Sequence, residues 1–176
     1  MLGLKRGTVY LSGHDPLWDA AAQQTIQVLK CVLGEAAADI QHVGSTSIRG
    51  IKAKPIIDLA VGVRDYEAVM AKREALGKEG IVFRFDERPE QLLFVMGDFA
   101  QDTRTHHIHV VLFESPEWEN YLLFRNYLNG NAAAAKEYEA VKEQLATAYP
   151  RDREAYTAEK GQTVVKLLEE ACRFKK

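Results

Sequence analysis

The residues with the clearest potential for chemistry lie within positions 42–63. Gly44 and Ser45 form part of a short polar loop, and twelve residues separate Ser45 from Asp58, the carboxylate of an otherwise apolar run. Such a loop can bind an anion through its backbone N–H groups, and a carboxylate can hold a cation. The sequence therefore predicts that Gly44, Ser45 and Thr46 contact phosphate and that Asp58 binds a metal ion.

Ordinary structural roles also fit these residues. Gly44 and Ser45 could form only a turn, and Asp58 could be paired with Lys52, Lys54 or a basic residue near the C-terminus. An ionised carboxylate in an apolar environment costs stability unless it is paired or ligated. Asp58 therefore needs a partner under either interpretation, and Lys54 is in addition a candidate for contacting phosphate.

Histidines alternate along a later apolar run. If this run is a strand, His107 and His109 lie on one face of it, because successive side chains point to opposite faces. Two imidazoles beside Asp58 on a neighbouring strand would form a metal site of two histidines and one carboxylate. They could equally hydrogen-bond a phosphate or carboxylate of a ligand, or lie at the edge of the core. We expect Asp58, His107 and His109 to be the catalytic residues and the ligands of a divalent ion, Mg²⁺ or else Mn²⁺ or Zn²⁺.

Two cationic residues, Arg125 and Lys160, interrupt apolar stripes of predicted helices. A charge on an inward-facing stripe must extend to solvent, form an ion pair or meet a ligand. Extension to solvent is the commoner arrangement for a single residue, but two such cations beside an anion-binding loop make a shared anionic ligand an alternative. We therefore add Arg125 and Lys160 to the predicted phosphate contacts. The helix predicted at 132–149 carries an inward apolar stripe with Tyr138 and is expected to be purely structural.

Length and composition limit the classes of function. The 176 residues are 47% hydrophobic and 27% charged, values that fit one globular domain over positions 1–176. The net charge of −2, without a cluster of Lys and Arg among aromatic residues, argues against nucleic-acid and membrane partners and leaves a nucleotide or another small molecule as the ligand. The N-terminus lacks a signal-peptide pattern, no apolar run approaches ~18 residues, and Cys31 and Cys172 lie far apart. These features predict a cytoplasmic chain with reduced cysteines, whereas nothing in the sequence indicates an oligomeric state.

The predicted elements that position these residues alternate between strands and helices before a helical C-terminal third. Asp15-Pro16 starts a first helix that Gly34 ends, and Asp65 caps a second helix that runs to about Leu76. The predicted strands are 9–11, 40–43, 56–63, 81–85, 92–96 and 107–113, and helical segments follow from Ser115 with breaks at 129–131 and 149–150. This order predicts an α/β or α+β fold in which helices flank one mixed sheet.

The sheet order decides whether the candidate residues meet. If strands 56–63 and 107–113 are neighbours, Asp58 and the two odd-numbered histidines point to the same face. The site would then be an open polar cleft between the sheet and the C-terminal helices. Arg125 and Lys160 would close it from the helical side.

Several separated motifs give the chain a resemblance to a known family. The run His-Val-Gly-Ser-Thr-Ser followed by Ala-Lys-Pro-Ile-Ile-Asp, the later His-Ile-His-Val and Leu-Phe-Arg-Asn-Tyr-Leu, and the downstream Glu-Tyr…Lys spacing resemble the GrpB family of bacterial proteins, from about Val9 to Ala171. The resemblance implies a nucleotidyltransferase-like fold, in which a hydrophobic-Gly-Ser element is followed further along the chain by Asp-hydrophobic-Asp/Glu. The stretch 43–45 and Asp58 match that pattern, but Ala60 stands at the position of the second carboxylate.

Ala60 limits the chemistry that the resemblance implies. Nucleotidyl transfer commonly uses two metal ions, each bridging paired carboxylates and the triphosphate, so Asp58 with the histidines would hold one metal ion or none. Our first hypothesis is a divergent metal-dependent nucleotidyltransferase that acts on a small molecule. The second is a non-catalytic nucleotide- or anion-binding module that assists a partner enzyme, since the loss of one carboxylate at Ala60 can abolish chemistry while the phosphate loop survives. The resemblance also implies a partner of this kind, because some family relatives are fused to a dephospho-coenzyme A kinase domain. A third, less favoured, is an oxygenase or hydrolase with two histidines and one carboxylate, in which the Gly-Ser loop would have no role.

Overall fold

A computed structural model of the chain describes residues 2–84 and 88–174. Within these residues the strands are β1, Leu4–Lys5; β2, Ala37–Val43; β3, Ile57–Val63; β4, Val82–Arg84; β5, Leu92–Met96; β6, Thr103–Arg104; and β7, His106–Leu112. The α-helices are α1, Leu17–Leu33; α2, Tyr66–Met70; α3, Arg73–Lys78; α4, Pro116–Gly130; α5, Ala132–Ala148; and α6, Arg153–Phe174. Short 3₁₀ turns lie at Gly34–Ala36 and Ser45–Ser47.

A mixed sheet of five strands forms the centre, in the order β2-β3-β7-β5-β4. β3 and β7 run parallel to each other, and the remaining neighbours are antiparallel. A parallel pair requires a crossover connection, and the segment that contains α2, α3 and strands β4–β6 supplies it. β1 and β6 form a separate antiparallel pair.

The apolar residues of β3 explain its place inside the sheet. One face of the strand is fully buried against the apolar stripe of α1, and the two contribute to the main core with Ile57, Leu59, Val61, Val63, Trp18, Ala22, Ile26 and Leu29. On the opposite face, Ala60 packs against Trp118 of α4. Asp58 lies on this second face as well, two residues before Ala60. The sheet therefore has α1 on one side and the C-terminal helices on the other.

The three C-terminal helices pack on one another and on the loop that follows β2. Their shared cluster includes Ile48 of that loop, Phe124 of α4, Tyr138 of α5 and Leu167 of α6. Among the described helices, none combines the length and the apolar character needed to cross a lipid bilayer.

Most predicted elements are confirmed. The Asp15 carboxylate accepts a hydrogen bond from the N–H of Leu17 at the start of α1, and the helix ends at Gly34, whose φ of 55° lies in the left-handed region. Asp65 caps α2 as predicted. The strand predicted at 92–96 is β5, and α4, α5 and α6 are separated at both predicted breaks.

Two predicted elements are wrong. Residues 9–11 form no strand, because the Val9 N–H bonds to the Pro150 carbonyl, and the N-terminal strand is instead β1. The helix predicted to run from Asp65 to about Leu76 is divided into α2 and α3 by a turn at 71–72. The partners of both N-terminal segments lie far away in the sequence, so a local pattern could not choose between them. The strand predicted at 81–85 corresponds to β4, and Phe85 lies outside the described residues.

Candidate functional site

The parallel pairing of β3 and β7 brings the predicted carboxylate and histidines together. Asp58 is in register with His107, and both histidines point toward it: Asp58 Oδ1 lies 3.3 Å from His107 Nδ1 and 3.5 Å from His109 Nε2. The three side chains are 28%, 19% and 12% exposed, respectively. The predicted adjacency of these strands is confirmed, whereas the catalytic and metal-binding roles stay predictions.

Arg153, the first residue of α6, decides which nitrogen of His107 carries the proton. Its Nη2 lies 3.1 Å from His107 Nε2. A guanidinium can only donate hydrogen bonds, so Nε2 of His107 accepts one and the proton of the neutral ring is on Nδ1. Nδ1 therefore donates to Asp58. The result is a chain of hydrogen bonds from Arg153 through His107 to the carboxylate.

Asp58 is a carboxylate in this environment. Burial alone would raise its pKa, but hydrogen bonds from His107 and His109, with the charges of these rings, outweigh burial and hold the pKa well below its usual range. Burial lowers the pKa of His107, and the interaction with Asp58 opposes that change. His109 stacks beside Tyr121, with ring centroids 5.2 Å apart, and its Nδ1 is buried without a hydrogen-bond partner among the described residues.

Gly44 brings the polar loop directly against Asp58. Its φ of 70° is in the left-handed region, and a Cβ at this position would lie 2.5 Å from Asp58 Oδ2. Only glycine satisfies both conditions without displacing the carboxylate. The following residue, Ser45, has its Oγ 3.0 Å from the hydroxyl of Tyr138 on α5. The loop thus connects the carboxylate to the C-terminal helices.

Two predicted phosphate contacts lie elsewhere in the structure. Thr46 is buried, and its hydroxyl lies 3.0 Å from His42 Nε2, so it connects the loop to β2. Arg125 Nη1 donates to Gln41 Oε1 at 2.8 Å and to the His42 carbonyl at 3.0 Å. The structure corrects the expected placement of both residues, since neither lines the cleft described next. Each polar group instead found a partner on β2, a strand whose position the helical pattern could not reveal.

A polar cleft of about 1790 Å³ lies between the sheet and the C-terminal helices, as predicted. Gly44, Ser45, Lys54 and Lys160 line it together with Asp58 and the two histidines. Among the residues that the structure describes, nine Lys and Arg side chains and five Asp and Glu side chains line this space, although the whole chain has a net charge of −2. The cleft is therefore a local concentration of positive charge.

Two lysines of the cleft lie beneath aromatic rings. Lys54 Nζ lies 4.5 Å from the ring centroid of Tyr156, and Lys142 Nζ lies 4.5 Å from that of Tyr138. Lys142 is 1% exposed and donates to the carbonyl of Lys52. Burial lowers the pKa of each of the two lysines to about 7, and the charge of Lys160 contributes in both cases.

Sequence reasoning missed Lys142 and Arg153, and it treated α5 as purely structural. The signal for Lys142 was present, because it follows Tyr138 by four residues on an inward stripe. That is the pattern that identified Lys160. No local signal pointed to Arg153, since its contact with His107 depends on how α6 packs against β7.

The described residues do not fit the pair of divalent ions that the fold implies. No group of three or more His, Cys, Asp or Glu in ranges 2–84 and 88–174 is placed to hold a metal ion. Ala60, at the position of the second carboxylate, is fully buried among Val43, Val111 and Trp118. The proton-bearing nitrogen of His107 faces Asp58, so its lone pair is not available on that side.

Comparison with known proteins places this geometry in context. Residues 8–170 match the GrpB protein family. The glutamate-rich protein GrpB of Alkalihalophilus pseudofirmus is 38% identical over 97% of this chain and 99% of its own length. Other relatives are longer: the chain spans 47% of UPF0157 protein YqkA of Bacillus subtilis, at 35% identity, and 44% of a dephospho-CoA kinase of Mycolicibacterium paratuberculosis, at 28% identity.

Solved structures agree with this assignment. The crystal structure of the conserved protein GrpB from Enterococcus faecalis superposes with a TM-score of 0.86 at 30% identity, covering 94% of this chain and 99% of that one. Cid1 in complex with its short product ApU superposes with a TM-score of 0.54 at 16% identity, covering 84% of this chain and 48% of Cid1. The second likeness shows the fold, which is nucleotidyltransferase-like with a helical C-terminal third. On sequence and structure together, the chain belongs to the GrpB family.

Proposed function

We propose that this protein binds a nucleoside triphosphate in the cleft and transfers its nucleotidyl group to a small molecule. The observation that carries the proposal is the arrangement of the cleft in a nucleotidyltransferase-like fold. Lys54, Lys142 and Lys160 line the same space as the Asp58–His107 pair. Positive charge can stabilise the charge that develops on the phosphates, and an imidazole held by a carboxylate can act as a general base.

The lysines and the Gly44 loop would bind the triphosphate. Its charges would offset the mutual repulsion of Lys54, Lys142 and Lys160, which adds to burial in lowering the pKa of the first two in the free protein. The hydroxyls of Ser45 and Tyr138, 3.0 Å apart, offer further donors to phosphate oxygens. The net charge of −2 supports a small acceptor rather than a nucleic acid.

The transfer step would use the imidazole of His107 as the base. A hydroxyl oxygen of the acceptor attacks the α-phosphorus, and the bond from that phosphorus to the bridging oxygen breaks, so that pyrophosphate leaves with the electron pair. The hydroxyl proton passes to His107 Nε2, once Arg153 has turned from this nitrogen to the phosphate. Asp58, which accepts the Nδ1–H of the ring, stabilises the imidazolium that forms. Each atom and charge is accounted for by residues of the cleft.

The experiment is a transfer assay with each of the four nucleoside triphosphates and a small-molecule extract. Reactions contain EDTA, Mg²⁺, Mn²⁺ or Zn²⁺, because the sequence predicts a divalent ion at Asp58. Pyrophosphate release and mass spectrometry of nucleotidylated products are the readouts. We expect turnover that His107→Gln abolishes, whereas Glu35→Gln, an exposed change outside the cleft, preserves it. The proposal fails if no condition gives turnover above that of His107→Gln.

A second candidate function is a non-catalytic nucleotide- or anion-binding module that assists a partner enzyme. One observation favours it: Ala60 fills the second carboxylate position with a side chain that packs against Trp118. An anion-binding cleft would survive this loss of chemistry. Calorimetric binding of a nucleoside triphosphate without turnover in any of the assays above would favour this candidate over the transferase.

We also propose that the protein acts in the cytoplasm. Cys31 and Cys172 are both exposed and unpaired, which supports a reducing compartment. Fractionation of cells that express the natural protein tests this, and recovery with the membrane or secreted fraction would contradict it.

A further inference from the structure

We propose that the cleft binds its polyphosphate free of divalent metal, with Lys54, Lys142 and Lys160 in the place of the metal ions. Asp58 then serves as the acceptor for two imidazoles and not as a metal ligand. This inference rests on the proposed function, because it concerns the same cleft, and it names the form of the ligand: a polyphosphate anion without bound Mg²⁺.

The hydrogen bonds around Asp58 are the first argument. A histidine that ligates a metal must direct a nitrogen lone pair at the ion. The lone pair of His107 is on Nε2 and meets the guanidinium of Arg153 at 3.1 Å, while its N–H faces Asp58 Oδ1 at 3.3 Å. A metal ion bound to Asp58 would therefore face a proton of this ring.

The apolar cluster around position 60 is the second argument. The side chains of β3 that share a face with Asp58 continue with Ala60 and Gly62, and the space beyond Gly62 is filled, since a Cβ there would lie 2.8 Å from Phe113 and 3.0 Å from Trp118. A second carboxylate on this face would displace packed aromatic rings. The strand can thus present one carboxylate. A Mg²⁺ ion held by this one carboxylate would take its other negatively charged ligands from the phosphates.

The charges of the cleft are the third argument. Lys160, Arg153 and Lys142 all repel Lys54, and Asp58 is the carboxylate that opposes them. Lys160 also repels Lys142, which Glu139 and Glu143 attract. A divalent cation beside these residues would add to the repulsion. A polyphosphate without metal carries more negative charge than its Mg²⁺ complex and therefore complements the cleft better.

Calorimetry with inorganic tripolyphosphate tests the proposal without requiring turnover. We expect binding in EDTA, and an affinity about tenfold lower when Mg²⁺ exceeds the ligand, because Mg²⁺ withdraws negative charge from the phosphates. Binding that appears only with Mg²⁺ would overturn the proposal, and so would the absence of binding in both buffers. If tripolyphosphate binds in EDTA but no nucleotide is turned over, the transferase proposal fails and this inference stands.

Variants distinguish Asp58 as a hydrogen-bond acceptor for the imidazoles from Asp58 as a metal ligand. Asp58→Asn is expected to strengthen tripolyphosphate binding both in EDTA and in Mg²⁺, because it removes a negative charge from the cleft, whereas a metal-ligand role predicts that the same change weakens binding in Mg²⁺. Lys54→Met and Lys142→Met are expected to weaken it about tenfold each. Lys30→Met, an exposed change on α1 outside the cleft, should leave it unchanged. Thermal melting establishes that each variant is folded, and Lys160→Met, which is only half-buried, replaces Lys142→Met if that protein fails to fold.

Discussion

Asp58 combines partial exposure with two imidazole partners, and this combination determines what its removal should do. Asp58→Ala eliminates the hydrogen bonds to His107 and His109 but also eliminates the cost of keeping a charge beneath the surface. We expect the free energy of unfolding to fall by only about 1 kcal/mol. Urea unfolding of the ligand-free variant measures this. A loss of about 3–5 kcal/mol, the size expected for breaking a buried ion pair, would identify Asp58 as a structural residue.

Gly44 offers a prediction with a matched control. Gly44→Ala places a Cβ 2.5 Å from Asp58 Oδ2 at a φ of 70°, whereas Gly50→Ala introduces a similar strain, at a φ of 75°, in open space. Both changes should destabilise the fold by about 1–3 kcal/mol through strain. Only Gly44→Ala should also displace Asp58 and abolish transfer activity. Denaturant unfolding and the transfer assay, run on both variants, separate strain from contact, and equal activity losses would contradict the proposed site.

The pattern of residue types predicted the centre of the site but not its surroundings. The alternation of His107 and His109 defined the face of one strand, and the apolar run around Asp58 defined the face of another. The parallel pairing of the two strands then brought the three side chains together. Thr46 and Arg125 could not be placed in the same way. Both side chains have hydrogen-bond partners on β2, and the packing of that strand against the loop and α4 determines these contacts.

At the scale of elements, the start of α6 influences the protonation of His107 on β7, after the larger effects of burial and Asp58. Arg153 repels a proton on His107, so Arg153→Met should raise the pKa of His107 and release its Nε2 to solvent or ligand. NMR titration of the imidazole resonances measures this change, which moves protonation of His107 to higher pH. Arg151→Met, an exposed change two residues earlier, provides the control. An unchanged titration of His107 in Arg153→Met would contradict the assigned hydrogen bond.

The strength of the local sequence pattern explains why the main strands and helices were more predictable than the short strands β1 and β6. Strands 57–63, 92–96 and 106–112 and helices α1 and α4–α6 carry strong periodic patterns bounded by Gly, Pro or capping residues, and the sequence located them closely. β1 and β6 have two residues each. Such short strands exist only because they pair with each other across about a hundred positions of the chain. A short stretch of sequence carries no information about that pairing.

At the scale of the whole molecule, the buried lysines make stability depend on pH. The pKa of Lys54 and Lys142 is about 7 in the folded protein, and that of an unfolded lysine is about 10.4. Between these values the unfolded chain binds more protons, so stability rises with pH by up to about 1.4 kcal/mol per unit for each lysine. Below about pH 7 both states are protonated and the full cost is present.

Urea unfolding at several pH values between 7 and 10 measures this slope. Lys142→Met is expected to reduce it, because methionine retains the packing beneath Tyr138 without a titrating group. Lys30→Met serves as the control and should keep the slope of the natural sequence. A stability that falls over this range would show that the two ammonium groups are not disfavoured by the fold.

The hydrogen bond from Lys142 to the carbonyl of Lys52 has a consequence for the lifetime of the protein in a cell. It connects α5 to the segment that leads into β3, and the charge of Lys160 repels that of Lys142 at this junction. The ligand-free protein should open at this junction more often than the liganded one, since a bound anion stabilises only the closed form. Cellular proteases cut the open form. Degradation would then slow as the anion becomes plentiful, so that the amount of this protein follows the supply of its own ligand.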